Sequence, residues 1–166
     1  VVECVDIVGN QWIEFNGGKY YFDSNLNPYQ GIQTIDGVEY FFTYEGQLAE
    51  YMDGAEASKD TLVYVKDGKV IAKTKIEDEK LTYLNGKYYY YYPSDYGDYY
   101  YAYYGVHEID GKKLFFKNGE LQTSDSDEIL TESTGDYIYA YNNKGEVVST
   151  VKKDAGWIQD ADEWYY

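Results

Sequence analysis

The chain has 166 residues, 44% of them hydrophobic, and a formal charge of −16 from 30 Asp and Glu against 14 Lys and Arg. That balance argues against nucleic acid, anionic lipid or a polyanionic wall polymer as a direct partner, because phosphate binding needs clustered Lys and Arg. It tolerates a neutral glycan or a cationic group, and it keeps an aromatic, edge-rich chain soluble. Cys4 is the single cysteine, which leaves no internal disulfide and no cysteine-based zinc site. No apolar run approaches the roughly 20 residues of a membrane span, so membrane insertion is not expected.

The hydrophobic residues are of an unusual kind, 24 Tyr against one Met. Rings with a hydroxyl edge pack on their faces while keeping contact with water, so a thin, half-wet core is expected. Residues 1–7 read as a strand, and residues 12–22 as a hairpin turning at Asn16-Gly17-Gly18, followed by a turn over 23–28. The next hairpin is the clearest. Gly31-Ile32-Gln33-Thr34-Ile35 forms one arm, Asp36-Gly37 can take the positive φ angles of a type I′ turn, and Val38-Glu39-Tyr40-Phe41-Phe42 forms the other. Residues 48–60 are polar and Ala-containing, and the reading is a loop, with a single helical turn as the alternative. Apolar residues alternate over 61–76 around Asp67-Gly68, which predicts another hairpin. Residues 81–92 form the next, turning at Asn85-Gly86.

Eleven of the seventeen residues over 88–104 are Tyr. Turn residues between Pro93 and Asp98 split this stretch into two arms with Tyr on both faces. One face can stack on neighbouring hairpins; the other is either a platform for sugar rings or a ladder of cross-strand pairs. Residues 105–121 repeat the 31–42 hairpin and add a second turn at Asn118-Gly119. Ser124-Asp125-Ser126-Asp127-Glu128 is an acidic loop, read as solvated because it lacks the Gly and distal Glu of a calcium-binding loop. Residues 137–151 form a further hairpin, and 157–166 open a new one.

These hairpins are versions of one another, and a longer period relates them. Trp12 aligns with Leu81 and then Trp157, at offsets of 69 and 76, and Gly31-Ile32 aligns with Gly105-Val106. The expected organisation is a single repeat domain over 1–166, with units at about 12–80 and 81–156 and a partial unit at 157–166, cut from a longer array. The expected fold is all-β, a solenoid-like stack of β-hairpins. Repeat edges invite end-to-end self-association.

Catalysis has little to work with. Any nucleophile–histidine arrangement would have to use His107, the one histidine, which occupies the slot of Gln33 in the earlier hairpin and is expected at the surface. No phosphate-cradling loop or metal-ligand cluster is present, and no pair of carboxylates lies in a recognisable setting. The chain is read as non-enzymatic, with no cofactor and no metal.

Gly156-Trp157 with Glu163-Trp164-Tyr165-Tyr166, and Gly31-Ile32-Gln33-Thr34-Ile35-Asp36-Gly37 with Tyr40-Phe41-Phe42, resemble the short cell-wall-binding repeats of Gram-positive surface proteins. That family takes in choline-binding repeats, glucan-binding repeats and the C-terminal repeats of clostridial toxins. The resemblance implies a secreted or wall-associated extracellular protein that binds wall polymer or glycan in shallow aromatic sites between hairpins. Choline capture would use ring faces around a quaternary ammonium. Here, however, the first-arm Trp is kept at Trp12 and Trp157 but becomes Ile32, Leu81 and Val106 elsewhere, so the toxin-like or glucan-like branches fit better. On repeat position, Trp12, Tyr20, Tyr40, Tyr88, Trp157 and Trp164 are the ligand-facing candidates, with Phe22, Phe42 and Phe116 as packing residues. Two other readings stand beside a wall- or glycan-binding module: a spacer or adhesin stalk with no small ligand, and an accessory domain of an enzyme whose catalytic part lies elsewhere.

Overall fold

The computed structural model describes residues 6–95, 97, 99–153, 158–160 and 163–165, the last two stretches by backbone alone. Every regular element among them is a β-strand, and the strands pair antiparallel with their neighbours. In the first half these are β1 (Trp12–Phe15), β2 (Gly18–Tyr21), β3 (Gly31–Ile35), β4 (Val38–Phe42), β5 (Asp53–Ser58), β6 (Thr61–Lys66), β7 (Lys69–Lys75), β8 (Thr82–Leu84), β9 (Lys87–Tyr89) and β10 (Tyr91–Pro93). They continue as β11 (Tyr100–Ala102), β12 (Gly105–Ile109), β13 (Lys112–Lys117), β14 (Glu120–Leu121), β15 (Leu130–Thr134), β16 (Tyr137–Tyr141), β17 (Val147–Lys152), β18 (Ile158–Asp160) and β19 (Glu163–Tyr165). Two compact units divide the chain: Val1–Ile76 with Thr82–Gly86 and Pro93–Tyr100, and Glu77–Leu81 with Lys87–Tyr92 and Tyr101–Tyr166.

Turn chemistry sets the strand boundaries. Asn16-Gly17, Asp36-Gly37, Asp67-Gly68, Asn85-Gly86, Asp110-Gly111 and Asn118-Gly119 all have positive φ at both residues, which matches the right-handed twist of the flanking strands. The first of these turns is one residue shorter than the expected Asn16-Gly17-Gly18, because Gly18 pairs with Phe15 as the first residue of β2.

A second turn type recurs at residues 23–27, 43–47 and 142–146. In each, the first residue's N–H donates to the carbonyl of the fifth, at 2.8 to 2.9 Å, and the fourth residue's N–H returns to the carbonyl of the first. The fourth residue, Leu26, Gly46 or Gly145, has positive φ. Close approach reinforces the need for glycine at two sites. A Cβ on Gly68 would meet Leu48 at 2.8 Å, and one on Gly145 would meet Leu121 at 2.6 Å.

Within the first unit, β1 pairs with β2, and a five-stranded sheet runs β3-β4-β7-β6-β5. Its strand β4 carries two core residues, Phe41 facing Val63 and Val65 and Phe42 facing Ile35 and Leu48. Both phenylalanines are buried because the strand is covered on both faces. In the second unit β12, β13, β14 and β9 are hydrogen-bonded in that order, and β15-β16-β17 form a three-stranded sheet. There Phe116 packs with Tyr90, Leu114 and Leu121, and Phe115 stacks on Tyr141 at 4.9 Å.

The two units solve the packing problem with matching sets of residues. Trp12, Tyr21, Tyr29, Ile35, Tyr40, Phe42 and Leu48 form one cluster. Leu81, Tyr90, Tyr103, Ile109, Leu114, Phe116 and Leu121 form the other, in the same sequence order.

Several expectations are corrected. Residues 53–58, read as a loop, are strand β5, paired with β6 from Asp53↔Lys66 to Ser58↔Thr61. Asp, Gly, Ala, Glu and Ser are poor strand formers, so local propensity hid a strand that its neighbour imposes. The same happens at β15, whose Leu130–Thr134 precedes the expected 137–151 hairpin and makes it a three-stranded meander. Residues 6 and 7, expected in a strand, have no regular structure, and 1–5 lie outside the described residues. His107, expected at the surface, is half-buried and stacked on the Tyr90 ring at 4.4 Å, because a flat imidazole fits the aromatic cluster.

Candidate functional site

Trp12 sits on β1 opposite Tyr21 on β2, and the two rings meet edge to face at 5.3 Å. Tyr40 closes on the same indole at 5.1 Å and Phe42 stacks on it at 5.8 Å. The Lys19 Nζ lies 5.2 Å from the Trp12 ring centre, a cation already seated on a π face. So Trp12 and Tyr40 come together in a half-buried cluster whose cation position the chain fills itself.

Tyr20 precedes Tyr21 along β2 and therefore points to the opposite face, where its ring stacks with Phe22 at 6.4 Å. Tyr88 is exposed on β9. Trp157 lies outside the described residues; Trp164 is in β19, opposite Gln159, and its side chain is not described. Phe42 and Phe116, expected as packing residues, are 1% and 0% exposed, and Phe22 is half-buried.

The line of rings Trp12, Tyr21, Tyr29 leads to a cleft that repeat position did not single out. Tyr29 stands 5.1 Å from Tyr21 and 6.0 Å from Phe42, and it borders an open cavity of about 670 Å³ within the first unit. Asp23, Gln30, Gln33, Ser58 and Asp60 supply polar groups around it.

Local folding holds each of these in place. The Asp23 carboxylate caps its turn, with Oδ1 accepting from the N–H groups of Asn25 and Asn27, both at 2.8 Å, and Oδ2 accepting from Asn27 Nδ2. Gln33 Nε2 donates to the Gln30 carbonyl at 2.9 Å, and Gln30 Nε2 donates to the Tyr44 carbonyl. Both amides thereby leave their side-chain oxygens as acceptors. The far wall is the β5–β6 turn, where Lys59 has φ of 54° and Gly31 approaches so closely that a Cβ there would meet Ser58 Oγ at 3.0 Å.

An aromatic edge beside amide and carboxylate oxygens suits a polyhydroxylated ligand, which offers an apolar ring face and a rim of hydroxyl donors. Asp23 is held below the usual carboxylate range, first by the Asn27 backbone N–H and then by the Asn27 side chain. That direction keeps it an acceptor and opposes a general-acid role. The sequence did carry a signal for this cleft: Gln33 and His107 share one repeat slot, and Tyr29 and Tyr103 share another. In the second unit His107 lies 4.4 Å from Tyr90 and 5.0 Å from Tyr103, so an imidazole between rings replaces the amide.

Short antiparallel hairpins packed through tyrosine and phenylalanine, with a shallow polar cleft at a turn, define a hairpin-repeat module, and in sequence this one is similar to part of a bacterial glucosyltransferase. Glucosyltransferase-I of Streptococcus downei is 29% identical over 184 aligned residues, covering 96% of this chain and 11% of that protein. The chain thus spans about a tenth of the length of the curated relative it matches. No family model matches. Similar solved structures include choline-binding protein F of Streptococcus pneumoniae, in the presence of a peptidoglycan analogue, with 17% identity over 86% of this chain and 41% of that one and a TM-score of 0.32. Alternansucrase in complex with isomaltononaose gives 17% identity over 94% and 16%, with a TM-score of 0.33. The modular autolysin LytC of Streptococcus pneumoniae gives 17% over 96% and 37%, with a TM-score of 0.31.

Proposed function

We propose that this chain is a non-catalytic, glycan-binding repeat module of a secreted or surface protein, built as a β-solenoid of hairpins, and that the Tyr29 cleft of its first unit holds a neutral sugar. The observation that carries this reading is the cleft itself, an aromatic edge beside fixed amide and carboxylate acceptors. The sequence likeness to a glucosyltransferase over nearly the whole chain supports it. Trp12 and Tyr40 back the cleft through Tyr21, while Tyr20 in the first unit and Tyr88 in the second each offer a ring of their own to a ligand. The same chemistry disfavours choline, since Lys19 occupies the Trp12 face.

Calorimetric titration with α-glucan oligosaccharides and with wall fragments tests this. Tyr29→Ala and Gln33→Ala should each weaken binding at least about tenfold, a loss of ~1.4 kcal/mol. Undiminished affinity in both variants overturns the site. The spacer reading draws on Trp12 and Tyr40, which face each other more than solvent; it predicts no heat with any glycan.

A further inference from the structure

We infer that Tyr92 and Tyr101 are an oxidative cross-linking site, at which a peroxide-driven phenol oxidant joins the two rings into an intramolecular dityrosine. The Tyr103 N–H donates to the Tyr90 carbonyl at 3.1 Å, and counting outward from that pair in an antiparallel register sets Tyr92 directly opposite Tyr101. Their ring centres are 5.6 Å apart with planes inclined at 42°. Both rings are open to solvent, at 43% and 45% exposure.

Those three facts are what the coupling needs. Each phenol loses one electron to the oxidant and its hydroxyl proton to water, which only a ring in contact with solvent does readily. The two phenoxyl radicals then join at their ortho carbons, and each ring sheds its ortho hydrogen as a proton while the phenol O–H is restored. In balance, two aryl C–H bonds break, one C–C bond forms, and the two electrons and two protons released reduce one hydrogen peroxide to two waters. Tyr21 and Tyr29 lie closer, at 5.1 Å, but both are half-buried and less open to solvent than Tyr92 and Tyr101. Tyr90 is 5% exposed and stands edge-on to Tyr103. Tyr137 and Tyr139 follow one another along a single strand, 6.0 Å apart. A bond between Tyr92 and Tyr101 would close the intervening turn covalently and fix the most tyrosine-dense hairpin of the chain. It would form whether or not the Tyr29 cleft binds a glycan.

The test is to treat the dilute chain with hydrogen peroxide and a haem peroxidase, then follow dityrosine fluorescence and map the peptides after cleavage at Asp95 and Asp98, which separates Tyr92 from Tyr101. The expected product is a monomeric chain whose two peptides stay joined and have lost two hydrogens. Tyr92→Phe and Tyr101→Phe, which keep both rings, should each reduce the fluorescence to background. The urea-unfolded wild-type chain should lose the preference for this pair. Fluorescence that persists in both variants, links that join only separate chains, or no dityrosine at all would overturn the assignment.

Discussion

Individual side chains divide between holding hairpins together and shaping the cleft, and the two roles respond to different perturbations. Phe116 is fully buried against Tyr90, Leu114 and Leu121, so Phe116→Ala should lower stability by about 3–5 kcal/mol in urea unfolding, with the cavity as the cause. Gly145 has φ of 78° and is pressed on Leu121, so Gly145→Ala should cost more than ~1 kcal/mol by the same measurement. Asp23 acts through charge. Its folded pKa lies below its unfolded value, so the stability it contributes to the 23–27 turn is present above the ordinary carboxylate pKa and is lost as pH falls through the folded value. Glycan affinity measured against pH should therefore hold steady near neutrality and fall in the acid range, and Asp23→Ala should remove that fall.

Six of the hairpin turns are Asx-Gly pairs, several followed by an arm of rings, and those parts were legible in the residues alone. The Asp36-Gly37 and Asp110-Gly111 hairpins pair in register as read, from Gly31↔Phe42 and from Gly105↔Phe116. What the sequence hid were β5 and β15, because Asp53–Ser58 and the Thr-, Glu- and Ser-rich Leu130–Thr134 owe their extended form to the strand beside them. Tertiary pairing overrides propensity there. Gly54, opposite Val65 in β5, has open space where a Cβ would project, so Gly54→Ala should stabilise by about 0.5–1 kcal/mol in thermal or urea unfolding. The cleft was half legible. Strand alternation separated Tyr20 from Tyr21, but the meeting of Tyr29, Gln33 and Asp60 depends on where one turn falls against another, which no local pattern encodes.

Across the chain, two units carry the same seven-position cluster with different residues, Trp12 against Leu81 and Tyr40 against Leu114. One framework is thus kept while the polar group beside it changes, from the amide of Gln33 to the half-buried imidazole of His107. The net charge of −16 suits a neutral ligand and leaves cations to be discriminated locally, as Lys19 does on Trp12. The most direct measurement is retention of the chain on insoluble α-glucan and on bacterial cell walls, with and without excess choline, beside Tyr29→Ala. Binding through the Tyr29 cleft predicts retention on a glycan matrix that choline does not release and that Tyr29→Ala abolishes. Release by choline, or no retention on any matrix, would contradict it.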